Sequence, residues 1–346
     1  MATATAALQR VRASSLIDAI GLLLLAVVIL WLLFKFFEDP TRFLNVSIIG
    51  ATNGAIYGLV ALGYTLVYGI LQLINFAHGD VFALSGLVAS TLILSVFSLN
   101  EGTSYVVVVL GLLGTLAVTI PLFAVLNGSI ERIAYKPLRS APRLAPLITA
   151  VGVSFIVQNV SLALYGVDFE SVPNFIPRTD AITIGGVAIQ WDNIAVFVIV
   201  VPVLVILSWF VRSTRQGKGM RAVAQDQEAA AMMGIDVNRT ISVTFFLAGG
   251  LAAVAGLVYL LQFNIRYDTG FELGLIAFTA AVLGGIGNLT GAVLGAMLIG
   301  MVQAWNEGLD GTPGGDWTRS IVFGILIAVL VFRPQGLLGE RTPEGA

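Results

Sequence analysis

Hydrophobic positions in this chain fall in long blocks, not in alternating or amphipathic runs. The blocks cover residues 16–37, 44–74, 81–98, 104–127, 145–166, 193–211, 240–263, 271–304 and 319–332. Most have the roughly 20 residues that an α-helix needs to cross a bilayer, so the pattern predicts an all-α polytopic membrane protein. The block at 271–304 is longer than one span and is interrupted by Gly284, Gly285 and Gly287. It reads either as one tilted helix or as two short ones, for about 8 to 10 transmembrane segments with short or broken members. The first block follows MATATAALQRVRASS and has no small-x-small cleavage site after it, so it reads as a retained helix and not a signal peptide.

One polar stretch stands out against this background. Thr214 to Arg239, TRQGKGMRAVAQDQEAAAMMGIDVNR, lies between two strongly apolar blocks and carries seven of the chain's 18 basic and 20 acidic residues. Its Ala, Met, Gln, Arg and Glu content, with no Pro, predicts a helix over 219–233 that Gly234 stops. Met220, Val223, Ala224, Gln227 and Ala231 share a mildly apolar face of that helix, with Lys218, Arg221, Gln225 and Glu228 on another. By itself such a segment is either a solvated loop helix or a recognition helix, whose alanines approach a partner's groove while an acidic group meets a basic patch.

Composition narrows the class. Hydrophobic residues make up 57% of the 346 and charged ones 11%, and the mean hydropathy is +0.93, which excludes a soluble globule. No cysteine and a single histidine leave no disulfide framework and no soft-ligand metal site, and a net charge of -2 gives no reason to expect nucleic acid. Orientation follows from the basic residues. Arg10, Arg12, Arg132, Lys136, Arg139, Arg143, Arg212, Arg215, Lys218, Arg221, Arg239, Arg333 and Arg341 can all lie on one side, with Lys35, Arg42, Arg178, Arg266 and Arg319 elsewhere, a division of 13 to 5. The richer side is cytoplasmic by the positive-inside rule, which puts the N-terminus and the 219–233 helix inside the cell.

The outer loop 166–192 contains Ile182-Thr183-Ile184, Gly185-Gly186 and Val187-Ala188-Ile189, a hairpin pattern around two glycines. It reads either as a small cap on the outer mouth or as a landing site for a delivering protein. Gly50, Gly54 and Gly58, and likewise Gly287, Gly291 and Gly295, recur at every fourth position, predicting two helices with flat packing or path-lining faces; Asn53 lies on the first. The run Asn75-Phe76-Ala77-His78-Gly79-Asp80 reads as a turn near the cytoplasmic interface, with Asp80 capping the next helix and Asn75 and His78 tying the turn down; functionally it would be part of a gate. Polar residues inside the spans are few (Thr52, Asn53, Gln158, Asn159, Gln303, with Glu272 near a segment start), and none is an ionisable group at mid-membrane. That argues against an ion-coupled carrier and favours neutral or aliphatic cargo.

Enzymatic readings find no dyad or triad in suitable positions. Gly217-Lys218-Gly219 lacks both the glycine five residues before it and the Ser or Thr after the lysine, so it is no phosphate-binding P-loop, and no cofactor is called for. Several stretches together resemble one family, the permease subunits of high-affinity branched-chain amino acid ABC importers. They are Gly54 to Tyr64 (GAIYGLVALGY), Asn75 to Asp80 (NFAHGD), Gly219 to Asp226 (GMRAVAQD), Met233 to Asp236 (MGID) and Ala281 to Asn288 (AVLGGIGN), within a likeness running from about Leu44 to Val331. Glu228-Ala229-Ala230, three residues and Gly234 also resemble the EAA-x3-G loop of such permeases, although Thr244-Phe245-Phe246-Leu247 stands where the longer motif has Ile-x-Leu-Pro. The resemblance implies an inner-membrane subunit that takes up Leu, Ile and Val. It implies a second related permease, two ATPases coupled through Arg221, Gln225, Asp226, Glu228, Ala229, Ala230 and Gly234, and an extracytoplasmic binding protein. Related permeases carry urea, short amides, simple sugars or nucleosides, and a passive channel for small neutral solutes is the rival from another class.

Overall fold

A computed structural model of the chain describes residues 21, 23, 26–139, 141, 142, 144–333 and 335–339. Helix α1 runs over 26–38, and α2 spans Pro40–Leu71. There follow α3 (Ala77–Thr91), α4 (Tyr105–Ile130), α5 (Leu144–Tyr165), the strands β1 (Asp180–Ile184) and β2 (Val187–Gln190), and α6 (Trp191–Ser213). Two short helices, α7 (Arg215–Gln225) and α8 (Gln227–Met232), lead into α9 (Val237–Gln262), α10 (Thr269–Gly284), α11 (Leu289–Gly308) and α12 (Thr318–Phe332). Among the described residues eight helices are long and apolar enough to cross a membrane, and α10 is a ninth, shorter apolar one. Among the described residues the apolar blocks are realised as helices, the first part of the block at 16–37 lying outside them, and β1 and β2 form the expected antiparallel hairpin, Ile184 opposite Val187 across the two glycines.

Side-chain caps explain where several of these helices begin. The Asp39 carboxylate accepts from the Arg42 amide at 2.9 Å with Pro40 in the first turn, Asp236 accepts from the Arg239 amide at 2.9 Å, and Asn288 from the Gly291 amide at 3.0 Å. The core forms around α2, α3, α9 and α10, where Ile56, Leu59, Phe82, Leu257 and Ala277 have no exposed surface or almost none. Small residues let the backbones meet there: a Cβ on Gly54 would sit 2.5 Å from the Met297 Cα of α11, and one on Gly50 2.7 Å from the Met301 Cα.

The long block at 271–304 is two helices. Gly285 and Gly287 adopt φ of 105° and 91°, a region that other residues rarely enter, and α10 ends between them and Thr279. Gly287 accordingly lies in the connection and not on a helical face, which corrects the expected Gly287-Gly291-Gly295 stripe. Gly291 and Gly295 pack on Gly284 and Ala280 of α10, while the face of α11 that meets Gly50 and Gly54 is built from Ala296, Met297, Gly300 and Met301. The end of α10 is closed from a distance: the Leu337 amide donates to the Leu283 carbonyl at 2.8 Å and the Leu338 amide to Gly284 at 3.0 Å.

The two ends of the bundle differ. At one end Asn45 accepts from the Ala188 amide of the hairpin at 2.9 Å, Arg42 donates to the Gly308 carbonyl at 2.9 Å, and Arg178 donates to the end of α9 at Gln262, 3.2 Å. At the other lie α7, α8 and nine basic residues, Arg132, Lys136, Arg139, Arg212, Arg215, Lys218, Arg221, Arg239 and Arg333; the other four on which the charge division rests, Arg10, Arg12, Arg143 and Arg341, are outside the described residues.

Candidate functional site

At the basic end, α7 and α8 form one unit with a sharp joint. Thr214 opens α7, its hydroxyl accepting from the Gly217 amide at 3.0 Å. The helix then ends at Asp226, whose backbone is extended and whose carboxylate accepts from the amides of Glu228 and Ala229, both at 2.9 Å. The single helix expected over 219–233 is thus two, because a side-chain carboxylate competes with the backbone for those amides and starts a new helix. The joint also rotates the faces. Met220, Val223 and Ala230 are buried, whereas Ala231 is exposed and Gln227 turns its amide to the Ile70 carbonyl at the end of α2, 3.2 Å away. Arg221, Gln225, Asp226 and Glu228 are exposed, and Ala229 is half-buried. The tip presents Met232 and Met233, each 82% exposed, and Gly234 closes it at φ 83°.

Beneath this unit the NFAHGD run dips into the bundle. Ala77 begins α3 without a side-chain cap, so Asp80 does not cap the helix; it lies in the first turn and accepts from the Ser154 hydroxyl of α5. His78 is wholly buried and enters a slot left by Gly63, where a Cβ would collide with its ring, and it stands edge-on to Tyr64 with ring centroids 5.0 Å apart. Gly63 precedes the end of α2 at Leu71 by eight residues, about 12 Å of helix. Ser154 is the eleventh of the 22 residues of α5. The run is therefore deep inside the bundle and not at an interface, and Asp80 is the mid-membrane ionisable residue whose absence was expected.

Gly79 makes that depth possible by packing on Gly270 and Gly274 of α10, too close for any side chain. Asn75 accepts from the Tyr135 hydroxyl at 2.7 Å, tying the turn to the extension of α4. The His78 ring lies against the α2 backbone at Val60 and Gly63, while the Asn75 side-chain nitrogen and one Asp80 oxygen are buried without a hydrogen-bond partner among the described residues. Asn53 and Gly58 belong to α2, Asn53 half-buried and Gly58 against Ala296.

One cluster carries no recognisable motif in the sequence. Glu131, directly after α4, is completely buried, pairs with Arg139 and accepts from the Ser242 hydroxyl of α9 at 2.8 Å; Arg139 also donates to Asn238 at 2.6 Å. A carboxylate set among Arg132, Lys136 and Arg139 at the end of an apolar block was the available signal. At the hairpin end, the hydrogen bond that the Arg266 guanidinium donates to the Asp268 carboxylate at 2.6 Å pushes the Arg266 pKa up, with the guanidinium 4.7 Å above the Phe169 ring.

A family model described as "Branched-chain amino acid transport system / permease component" matches residues 47–331. The chain belongs to this permease family. It is 37% identical over 309 residues to the high-affinity branched-chain amino acid transport system permease protein BraD of Pseudomonas aeruginosa, covering 88% of this chain and 98% of BraD. With the corresponding permease protein LivH of Escherichia coli it shares 34% identity over 312 residues, 89% of this chain and 99% of LivH. The fructose import permease protein FruG of Bifidobacterium longum is more distant, at 26% identity and 80% coverage of each chain. The permease is thus a multi-pass inner-membrane transport subunit of an ABC importer and not an enzyme, and it works with ATPase and substrate-binding partners.

Proposed function

We propose that this permease forms half of the translocation path for branched-chain aliphatic amino acids and that the α7–α8 unit transmits the ATPase stroke to it. The unit's jointed shape carries the reading. One side is anchored in the bundle through Met220, Val223 and Ala230, while the tip offers an apolar pair, Met232 and Met233, to a partner. Arg221, Gln225, Asp226, Glu228, Ala229, Ala230 and Gly234 are the proposed ATPase-coupling residues. A push on the tip reaches α2 through the Gln227 contact with Ile70, and α2 borders the NFAHGD turn.

Asn75, His78, Gly79 and Asp80 are the proposed gate. Polar atoms of Asn75 and Asp80 lack partners among the described residues, and each such group costs about 1–3 kcal/mol when buried, so a second arrangement that satisfies them is within reach of nucleotide binding. Gly50, Asn53, Gly54, Gly58, Gly291 and Gly295 are proposed to keep the helices close enough to slide along the path. The second half of the path is a related permease, giving a heterodimer, and the N-terminus faces the cytoplasm together with α7 and α8.

Radiolabelled uptake into proteoliposomes holding the whole importer and its binding protein tests this reading. Leu, Ile and Val enter when ATP is supplied, and Lys and Glu compete poorly. Preference for a sugar or urea retains the mechanism and rejects the substrate; uptake without ATP rejects the coupling.

A further inference from the structure

Between the first half of α7 and the loop that joins α8 to α9 lies an open cleft of about 560 Å³. Arg215 and Lys218 line one wall and Arg239 the other, and none of the three forms an ion pair among the described residues. Gln216 lines the cleft as well, and its side-chain nitrogen is shielded from solvent and donates to no group among the described residues. Asp236 is the acidic residue on the wall, and one of its oxygens already caps α9 through the Arg239 amide. Three cations and an idle amide donor against one partly used carboxylate make this a site for an anion, and the backbone of Gly219 and Gly234 leaves room for a group with several oxygens.

The cleft's height in the membrane selects the anion's source. Arg215 follows α6 after a single residue, and α6 carries an exposed apolar stripe, Val198, Val201, Val205 and Trp209, that descends toward it. A tryptophan followed by basic residues marks the boundary between hydrocarbon and headgroups. The cleft is thus at the base of the α7–α8 unit, level with lipid headgroups, while Met232 and Met233 are at the tip.

We propose that this cleft holds the phosphate of an anionic phospholipid, with the acyl chains lying along the α6 stripe. The lipid bridges α7 to the first turn of α9, so it braces the base on which the coupling unit turns. The proposal is independent of the cargo assignment.

Native mass spectrometry of the assembled importer, purified from mixed micelles of phosphatidylglycerol and phosphatidylcholine, reads retained lipid directly. Phosphatidylglycerol is retained over phosphatidylcholine, and Arg215→Gln, Lys218→Gln and Arg239→Gln each lower retention about fivefold. Arg215→Lys keeps most of it, and Arg178→Gln at the hairpin end changes nothing. Equal retention of both lipids, or unchanged retention in all three variants of an intact complex, overturns the proposal. Displacement by inorganic phosphate alone overturns it in favour of a soluble phosphoryl ligand. Loss of the ATPase from the variants with lipid retention intact overturns it in favour of an acidic patch on that partner.

Discussion

Glu131 and Arg139 show how much a single residue can carry in this bundle. Deleting the guanidinium leaves a wholly buried carboxylate with, among the described residues, the Ser242 hydroxyl as its remaining hydrogen-bond partner. Arg139→Ala is expected to cost about 3–5 kcal/mol, while adding Glu131→Gln recovers most of that loss, since the penalty belongs to the uncompensated charge. Thermal unfolding in detergent reads both, and strictly additive losses would contradict the account. The buried histidine teaches the complementary point. Its identity and its place after the second apolar block are plain from the sequence, but its depth depends on Gly63, which leaves room for the His78 ring in α2, and on Gly79, which lets α3 approach α10. No local pattern encodes that, and hydropathy with capping preference alone puts the run at an interface and Asp80 at a helix cap.

Among the elements, α7–α8 is the one whose shape matters most to the proposal. Glu228→Arg and Gly234→Leu are expected to insert normally and abolish uptake, the first by inverting a charge on an exposed face and the second by forcing a side chain into φ 83°. Normal uptake in both would reduce the unit to an ordinary loop. Helix propensity summed over 219–233 saw one helix because it ignores what a carboxylate at Asp226 does to the next two amides. The glycine break in 271–304, by contrast, was legible; the choice between one helix and two was not, because it rests on backbone contacts with distant residues. Helix packing gives its own test. Gly54→Val overpacks the α2–α11 contact and should cost about 1–3 kcal/mol, while Gly324→Ala in α12, with nothing within 4 Å, is expected to be neutral or slightly stabilising. A melting midpoint for Gly54→Val equal to that of the unsubstituted chain would refute the tight contact.

At the scale of the whole molecule, the segment pattern and its hairpin could be read from hydropathy, because lipid leaves only helices for the spans and punctuates them with polar residues. Sidedness rests on charge, and the absence of native cysteine makes it easy to test. In intact cells, Thr179→Cys is expected to react with an impermeant thiol reagent and Gln216→Cys to stay shielded; labelling of the latter would overturn the orientation and the coupling role together. The closure of α10 also bears on how the chain is made. While α10 alone has entered the membrane, the Leu283 and Gly284 carbonyls lack the amides of Leu337 and Leu338, which lie about fifty residues downstream. Insertion and maturation are therefore separate events: a nascent chain can have α10 and α11 in place and still present open carbonyls to the quality-control proteases of the membrane, until α12 has crossed and the segment carrying Leu337 and Leu338 folds back.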